Sequence, residues 1–291
     1  MPMSKPLACC LIAAIVALPR PSGAFPQDAS PLVLRLKAHP GDSWERILQS
    51  TTRTVLKGME ERIAVSSTLR TTVEAVAPNG RMTLRQESKI DRLWARDFQG
   101  STVTANFDSD NPSDREAARG NPEGAEFLAL LDKIFTMRIE EEPTGQLRRS
   151  LSGVDPANPI IEQIMTEGIC TLPEGPVRIG DQWDGGTLST PMAGLGRLDI
   201  SRQVVFDSIG VRNGEMVANL KVTGQVTVKP DAESDVTVSV IGAKVDDLYA
   251  LAIDRGRMVG GRENASIKLT ITQNGQQSSG LIEITFVVRE K

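Results

Sequence analysis

The chain has 291 residues, with 33 Lys and Arg against 37 Asp and Glu, a formal net charge of −4, and one histidine. That balance speaks against nucleic acid or an anionic membrane surface as a partner, because both select a basic patch. A single histidine, His39, leaves little from which to build a serine, cysteine or zinc enzyme, each of which needs a positioned base or ligand set.

Residues 1–24 read as a secretory signal peptide. Lys5 supplies the positive start, Leu7 to Leu18 is apolar, and Pro19, Pro21, Ser22, Gly23 and Ala24 form a breaker followed by small residues. Cleavage is expected between Ala24 and Phe25, which places the mature protein in the periplasm or outside the cell. The apolar run of about a dozen residues is shorter than the ~20 that a spanning helix needs, so no transmembrane anchor is expected after cleavage. Loss of Lys5 and Arg20 leaves 31 basic and 37 acidic residues. Cys9 and Cys10 go with the leader, so Cys170 is the only thiol left and no internal disulfide is expected. With no base nearby in sequence, Cys170 is expected to be a small buried hydrophobe.

Residues 25–30 read as a flexible leader and 31–290 as one β-rich domain. Leu32, Leu34 and Leu36 alternate with Val33, Arg35 and Lys37, the period of a strand with one face inward. From Trp44 the chain runs through Thr-rich Ser50 to Val55, turns at Lys57-Gly58 and continues from Arg62 to Ala77. Pro78-Asn79-Gly80 is a hairpin signal leading into Met82 to Trp94, and Thr102 to Phe107 follows. After a polar stretch from Asp108, Asn121-Pro122 predicts an N-cap and first helical residue. Phe127, Leu130, Leu131 and Ile134 then fall on one helical face, a candidate lid over the sheet. Two short strands, Thr136 to Glu140 and Gly145 to Ser150, precede a second Asn-Pro pair at Asn158-Pro159 and a second short helix. The remaining strands are Gln182 to Leu188, Leu195 to Ser208, Met216 to Val228, Val236 to Val245, Leu248 to Asp254, Gly256 to Ile271 and Leu281 to Arg289. Their turn signals include Asn213-Gly214, Asp254-Arg255-Gly256 and Asn274-Gly275. The fold class expected is mainly β: a curved antiparallel sheet or open barrel in two pseudo-repeated halves, about 31–150 and 170–290, with a helical linker at 151–169.

One device marks the start of each half. Gly41-Asp42-Ser43-Trp44 and Gly180-Asp181-Gln182-Trp183 share the pattern Gly-Asp-x-Trp. The glycine suits a turn position that needs φ > 0, the aspartate can accept a backbone N–H, and the tryptophan sets a large apolar surface on the sheet as the strand leaves. These six residues are expected to be structural anchors. The two turns, with Phe107-Asp108-Ser109 before the polar stretch and Leu172-Pro173 and Pro176-Val177 before the second copy, resemble a family of exported bacterial proteins whose domain has no assigned function. The match covers most of residues 31–290. The resemblance implies an architecture similar to the open β-barrels of lipoprotein carriers, in which a curved sheet leaves an apolar concave face.

Other constellations are weak. Asp108, Asp110 and Asp114 lack the glycine and terminal glutamate of a calcium loop and read as Asx turns. Glu140-Glu141-Glu142 and Asp246-Asp247 read as solvated edges or turns, and Gly194-Leu195-Gly196 lacks the context of a dinucleotide loop. No catalytic residue, metal or cofactor is expected. The leading reading is a non-enzymatic exported protein that binds an apolar small molecule, lipid or lipidated segment. The alternative is an envelope interaction or structural module with a packed interior, and a third, a carbohydrate-active enzyme, would need two carboxylates facing one cleft.

Overall fold

Asparagine followed by glycine closes two of the hairpins through backbone geometry. Asn213 and Gly214 have φ of 50° and 81°, and Asn274 and Gly275 have 52° and 74°, the paired positive values of a type I′ turn. Between them lie alternating runs of Val, Ile, Leu and Thr that build unusually long strands. The computed structural model describes residues 30–56, 58–100, 102–120, 122–131, 133–149, 170–192, 196–229 and 236–291. Its elements are β1 (Ser43–Leu56), β2 (Met59–Val76), β3 (Met82–Gln99), β4 (Thr102–Asp108), α1 (Pro112–Arg119), α2 (Pro122–Leu131), β5 (Ile134–Glu141), β6 (Leu147–Arg149), β7 (Gln182–Met192), β8 (Gly196–Arg212), β9 (Glu215–Lys229), β10 (Val236–Ala252), β11 (Arg257–Gln273) and β12 (Gln276–Glu290).

All the strands join one antiparallel sheet in the order β6-β5-β3-β2-β1-β12-β11-β10-β9-β8-β7, with β4 added to β3. The sheet is open, with β6 and β7 at its ends. Each half is a meander, and the halves meet where β1 pairs with β12 from Arg46↔Glu290 to Leu56↔Gly280. β5 and β4 share one side of β3, at Met82–Lys89 and Trp94–Gln99 respectively. Ser109 fills the gap between them: its N–H donates to Leu93 O (2.9 Å) and its Oγ accepts from Leu93 N–H (2.9 Å).

Two extended segments hold the curvature. Leu32 and Val177 exchange backbone hydrogen bonds of 2.8 Å each, so residues 30–38 and 170–177 run side by side. Leu36 N–H reaches Pro143 O (2.8 Å) and Leu172 N–H reaches Thr144 O (2.6 Å), both in the turn between β5 and β6. Thr171 N–H reaches Gly185 O in β7 (3.1 Å). One short segment therefore touches both ends of the strand order, which a flat sheet of this width would forbid. Gly256, at φ +58°, admits the first segment: a Cβ there would lie 2.6 Å from Lys37 N and 2.7 Å from Arg35 O. Leu34, Leu36, Cys170, Leu172 and Val177 are buried in the main core with inward residues of both halves, among them Leu69, Leu84, Met137, Phe206, Leu220, Leu251 and Phe286.

Several expectations need correction. Leu32 to Lys37 alternates in burial as expected, but apart from the Leu32 bridge it makes no ladder, because it lies inside the sheet instead of along an edge. Asp246-Asp247 does not interrupt a strand; β10 runs through it, with Asp247 on the inward face. Residues 112–119, read as polar loop, form α1. The signal was the same Asn-Pro pair as at 121–122: the Asn111 side chain accepts from Ser113 N–H and Pro112 starts the helix. The second helix expected after Asn158-Pro159 lies outside the described residues. Ile134 is not on the candidate lid helix, since α2 ends at Leu131 and Ile134 opens β5, where it is 63 % exposed. Leu131 is buried and Leu130 packs on the core as expected, joined by Leu128; the Phe127 side chain lies outside the described residues.

Candidate functional site

The repeated turns have the same geometry. Gly41 and Gly180 sit at φ +90° and +94°. Asp42 N–H donates to His39 O and Asp181 N–H to Arg178 O, each at 3.0 Å; the carboxylates accept in return from His39 N–H (3.0 Å) and Arg178 N–H (2.8 Å). Gly41 N–H donates to Val73 O (2.9 Å) in β2, and Gly180 N–H to Phe206 O (2.7 Å) in β8. Gly41, Asp42, Gly180 and Asp181 are therefore equivalent locks on the first hairpin of each half. Trp44 and Trp183 are half-buried against the core, but they part company at the indole nitrogen. Trp183 Nε1 donates to Thr171 O (2.7 Å), whereas Trp44 Nε1 is buried without a partner.

Trp44 begins a row of such groups. Register pairs it with Thr71 in β2, Thr71 with Gln86 in β3, and Gln86 with Met137 in β5. Two residues along the same inward face, Arg46 pairs with Leu69 and Leu69 with Ser88. Thr71 Oγ1, Gln86 Oε1, Ser88 Oγ and Arg46 Nε are all buried and have no hydrogen-bond partner. Thr71 is 1 % exposed, Gln86 8 % and Ser88 0 %. Their neighbours on this face are Leu69, Val73, Leu84, Ile90, Phe135 and Met137, all buried.

Charge gathers beside the row. The Arg46 guanidinium lies 5.8 Å from the centroid of the Trp44 ring and that of Arg257 4.8 Å from it, so two cations flank one indole. Burial pulls the pKa of Arg46 down; Glu141 and Glu290 oppose that and Arg257 adds to it. Arg257 is held by Asp42 (3.4 Å). Glu290 is engaged by Arg255 (2.9 Å), which also binds Glu215 (2.6 Å). Glu141 is not a solvated edge residue: it is 9 % exposed, and burial pushes its carboxyl up to about 7, with Arg46 pulling it back only in part. Alternation along β5 turns residues 135, 137, 139 and 141 inward, so the middle of the three glutamates is buried while Glu140 and Glu142 are not.

A second polar group occupies the other half. Asp247 in β10 and Glu263 in β11 are direct register partners, and Tyr249 donates to Glu263 Oε1 (2.5 Å). Tyr249 lies over Gly261, its own register partner, where a Cβ would come within 2.8 Å of the ring. Burial and the neighbouring Glu263 raise Asp247 to about 7, although Asn264 N–H donates to its Oδ1 (3.1 Å). Glu263 is likewise raised, chiefly by burial, with Tyr249 and Arg202 acting against the shift. Cys170, fully buried as expected, has its thiol pushed up to about 12 by burial, which keeps it in the protonated form.

His39 is exposed, as its turn position implies. Asp108, Asp110 and Asp114 make the expected local turn bonds: Asp110 N–H to Asp108 Oδ1 (3.0 Å) and Asp108 N–H to Asp114 Oδ2 (2.8 Å). Arg92 pairs with Asp108 (2.8 Å) and Asp110 (3.0 Å). The sequence reading missed the inward row, yet its signal was present. Thr71 stands between Leu69 and Val73 at the inward period, and Gln86 and Ser88 stand between Leu84 and Ile90, so each is a polar residue in an apolar register.

No family model matches this chain, and no curated protein matches it. Among solved structures, DynF from the dynemicin biosynthesis pathway of Micromonospora chersina is similar over 94 % of this chain and 92 % of that chain, at 8 % identity and a TM-score of 0.20. A likeness at that level carries no argument about fold or function.

Proposed function

We propose that the protein is an exported, non-enzymatic binding protein whose ligand is a lipid, a lipidated segment or another amphiphilic small molecule held on the inward face of the open sheet. The supporting observation is the side-by-side placement of Thr71, Gln86 and Ser88, buried and unpartnered on an otherwise apolar surface. Folded interiors pair nearly all of their polar atoms. Each one left unpaired costs about 1–3 kcal/mol, so a contiguous set needs a reason to persist. A ligand with an apolar body and a polar end that reaches the row would supply one.

Native mass spectrometry of the protein purified from its own envelope, followed by solvent extraction, tests this reading. A stoichiometric co-purifying amphiphile is the expected result. A clean unliganded mass, accompanied by crosslinks to another envelope protein, would overturn it in favour of an interaction module.

A further inference from the structure

A groove of about 400 Å³ crosses the outer face of the second half, on the far side of the sheet from the main core. Its floor is bare because two small residues meet there: Ala250 in β10 is the register partner of Gly260 in β11. A Cβ at Gly260 would lie 3.0 Å from Arg212 Cζ, so this guanidinium, reaching over from the β8–β9 hairpin, rests on the backbone of β11. Arg289 in β12 is the partner of Gly260 on its other side, and Arg262 stands two residues along β11 on the same face. Register partners lie about 5 Å apart and alternate residues of a strand about 7 Å, so three arginines converge on one strip of strand. All three are exposed. Among the described residues Arg212 and Arg289 have no hydrogen-bond or ion-pair partner, and Arg262 Nε donates only to Asn264 Oδ1 (3.2 Å). The acid lining the groove is Asp207, which accepts from Ser208 Oγ (3.1 Å). Around the groove, Lys221, Lys244, Arg255 and Lys291 stand against Glu45, Glu215, Asp246 and Glu290, so the surroundings cancel. The groove therefore keeps an excess of positive charge in a chain whose net charge is −4.

We propose that this outer groove binds an anionic oxygen group, a phosphate or a carboxylate, with Arg212 and Arg289 as its direct partners. An unpartnered guanidinium presents a planar fork of donors that matches either oxyanion. Leu248, 56 % exposed and the register partner of Arg262, meets the apolar part of the molecule that carries the group. Asn219 and Ser208, bonded to each other at 3.1 Å, add a polar wall. Arginine stems also cover apolar surface, but that role does not require their charged ends to gather away from acids. The groove and the row of Thr71, Gln86 and Ser88 lie on opposite faces of the sheet, and the one assignment does not depend on the other.

The test is calorimetric titration of the mature protein at low ionic strength, where an exposed charged site is least screened, with hexyl phosphate, hexanoate and hexanol as probes. The expected result is that one or both anions bind about 10-fold or more tightly than hexanol, the margin of one charge-assisted hydrogen bond. The double variant Arg212→Gln, Arg289→Gln is expected to erase that preference, and each single variant to reduce it should the double variant fail to fold. Gly260→Ala keeps every charge but displaces Arg212 from its seat, and is expected to weaken anion binding as well. Sedimentation with vesicles of phosphatidylglycerol or of phosphatidylcholine then separates the sources of the group. Co-sedimentation with phosphatidylglycerol alone identifies a lipid headgroup, and anion binding without it identifies a soluble ligand. Equal affinity for the three probes, failure of all three to bind, or a preference unchanged by the arginine variants overturns the assignment.

Discussion

Replacing an unpartnered hydroxyl should stabilise the protein. Ser88 is fully buried, and its Oγ has no partner. Ser88→Ala deletes the hydroxyl and leaves a side chain that fits the same space, so the desolvation penalty of about 1–3 kcal/mol is relieved at the cost of a few dispersion contacts. The expected net gain is about 1 kcal/mol. Thr71→Val, of nearly the same shape, should behave alike at a site that is 1 % exposed. In urea denaturation with a slope of about 3 kcal/mol/M, that gain moves each midpoint up by roughly 0.3 M with the slope unchanged. The same variants should weaken binding of the amphiphile, so stability and affinity move in opposite directions. Midpoints that fall by a comparable amount in both variants would refute the reasoning, because they would mean that buried water already satisfies both hydroxyls and that the row is structural.

Other outcomes follow from the repeated turns and the buried acids. Gly41→Ala and Gly180→Ala place a Cβ at φ near +90°, where nothing lies within 4 Å to clash, so each should cost only the backbone strain, about 1–2 kcal/mol, in thermal or chemical melts. Trp183→Phe should cost about 1 kcal/mol more than Trp44→Phe, because only Trp183 loses a hydrogen bond and leaves the Thr171 carbonyl unpaired; equal costs would contradict that difference. Glu141 binds its proton more tightly when folded, rising from 4.5 to about 7, so its contribution is fully present below pH 4.5 and is lost as the pH climbs through 7. Glu141→Gln should therefore flatten part of the decline in stability across that window, measured as urea midpoints against pH. N-terminal sequencing of the protein isolated from its source should begin at Phe25, and retention of Met1 would refute the reading of residues 1–24 as a cleaved leader.

The strands and their turns were legible because they are local. Alternation at i and i+2 marked Met82 to Trp94 and Met216 to Val228, and Asn-Gly pairs placed two hairpins where positive φ at both residues is observed. The Gly-Asp-x-Trp pattern was likewise readable from a handful of neighbouring residues, and both copies adopt one geometry. Glu141 and Asp247 were read as solvated because acidic runs usually are. Whether one member of such a run turns inward depends on strand phase, and β10 passing straight through Asp246-Asp247 is a matter of pairing with β9 and β11.

By itself the sequence determined a mainly β chain, the position of its turns and two matched anchors, since each rests on residues close together along the chain. Only the tertiary structure decided that β1 meets β12, that residues 30–38 and 170–177 lie inside the sheet, and that Trp44, Thr71, Gln86, Arg46 and Ser88 share one inward face. Inward phase on a single strand can be read from alternation. Which inward residues become neighbours depends on register between strands and on the curvature that closes over them, and those are set by the burial of the whole core.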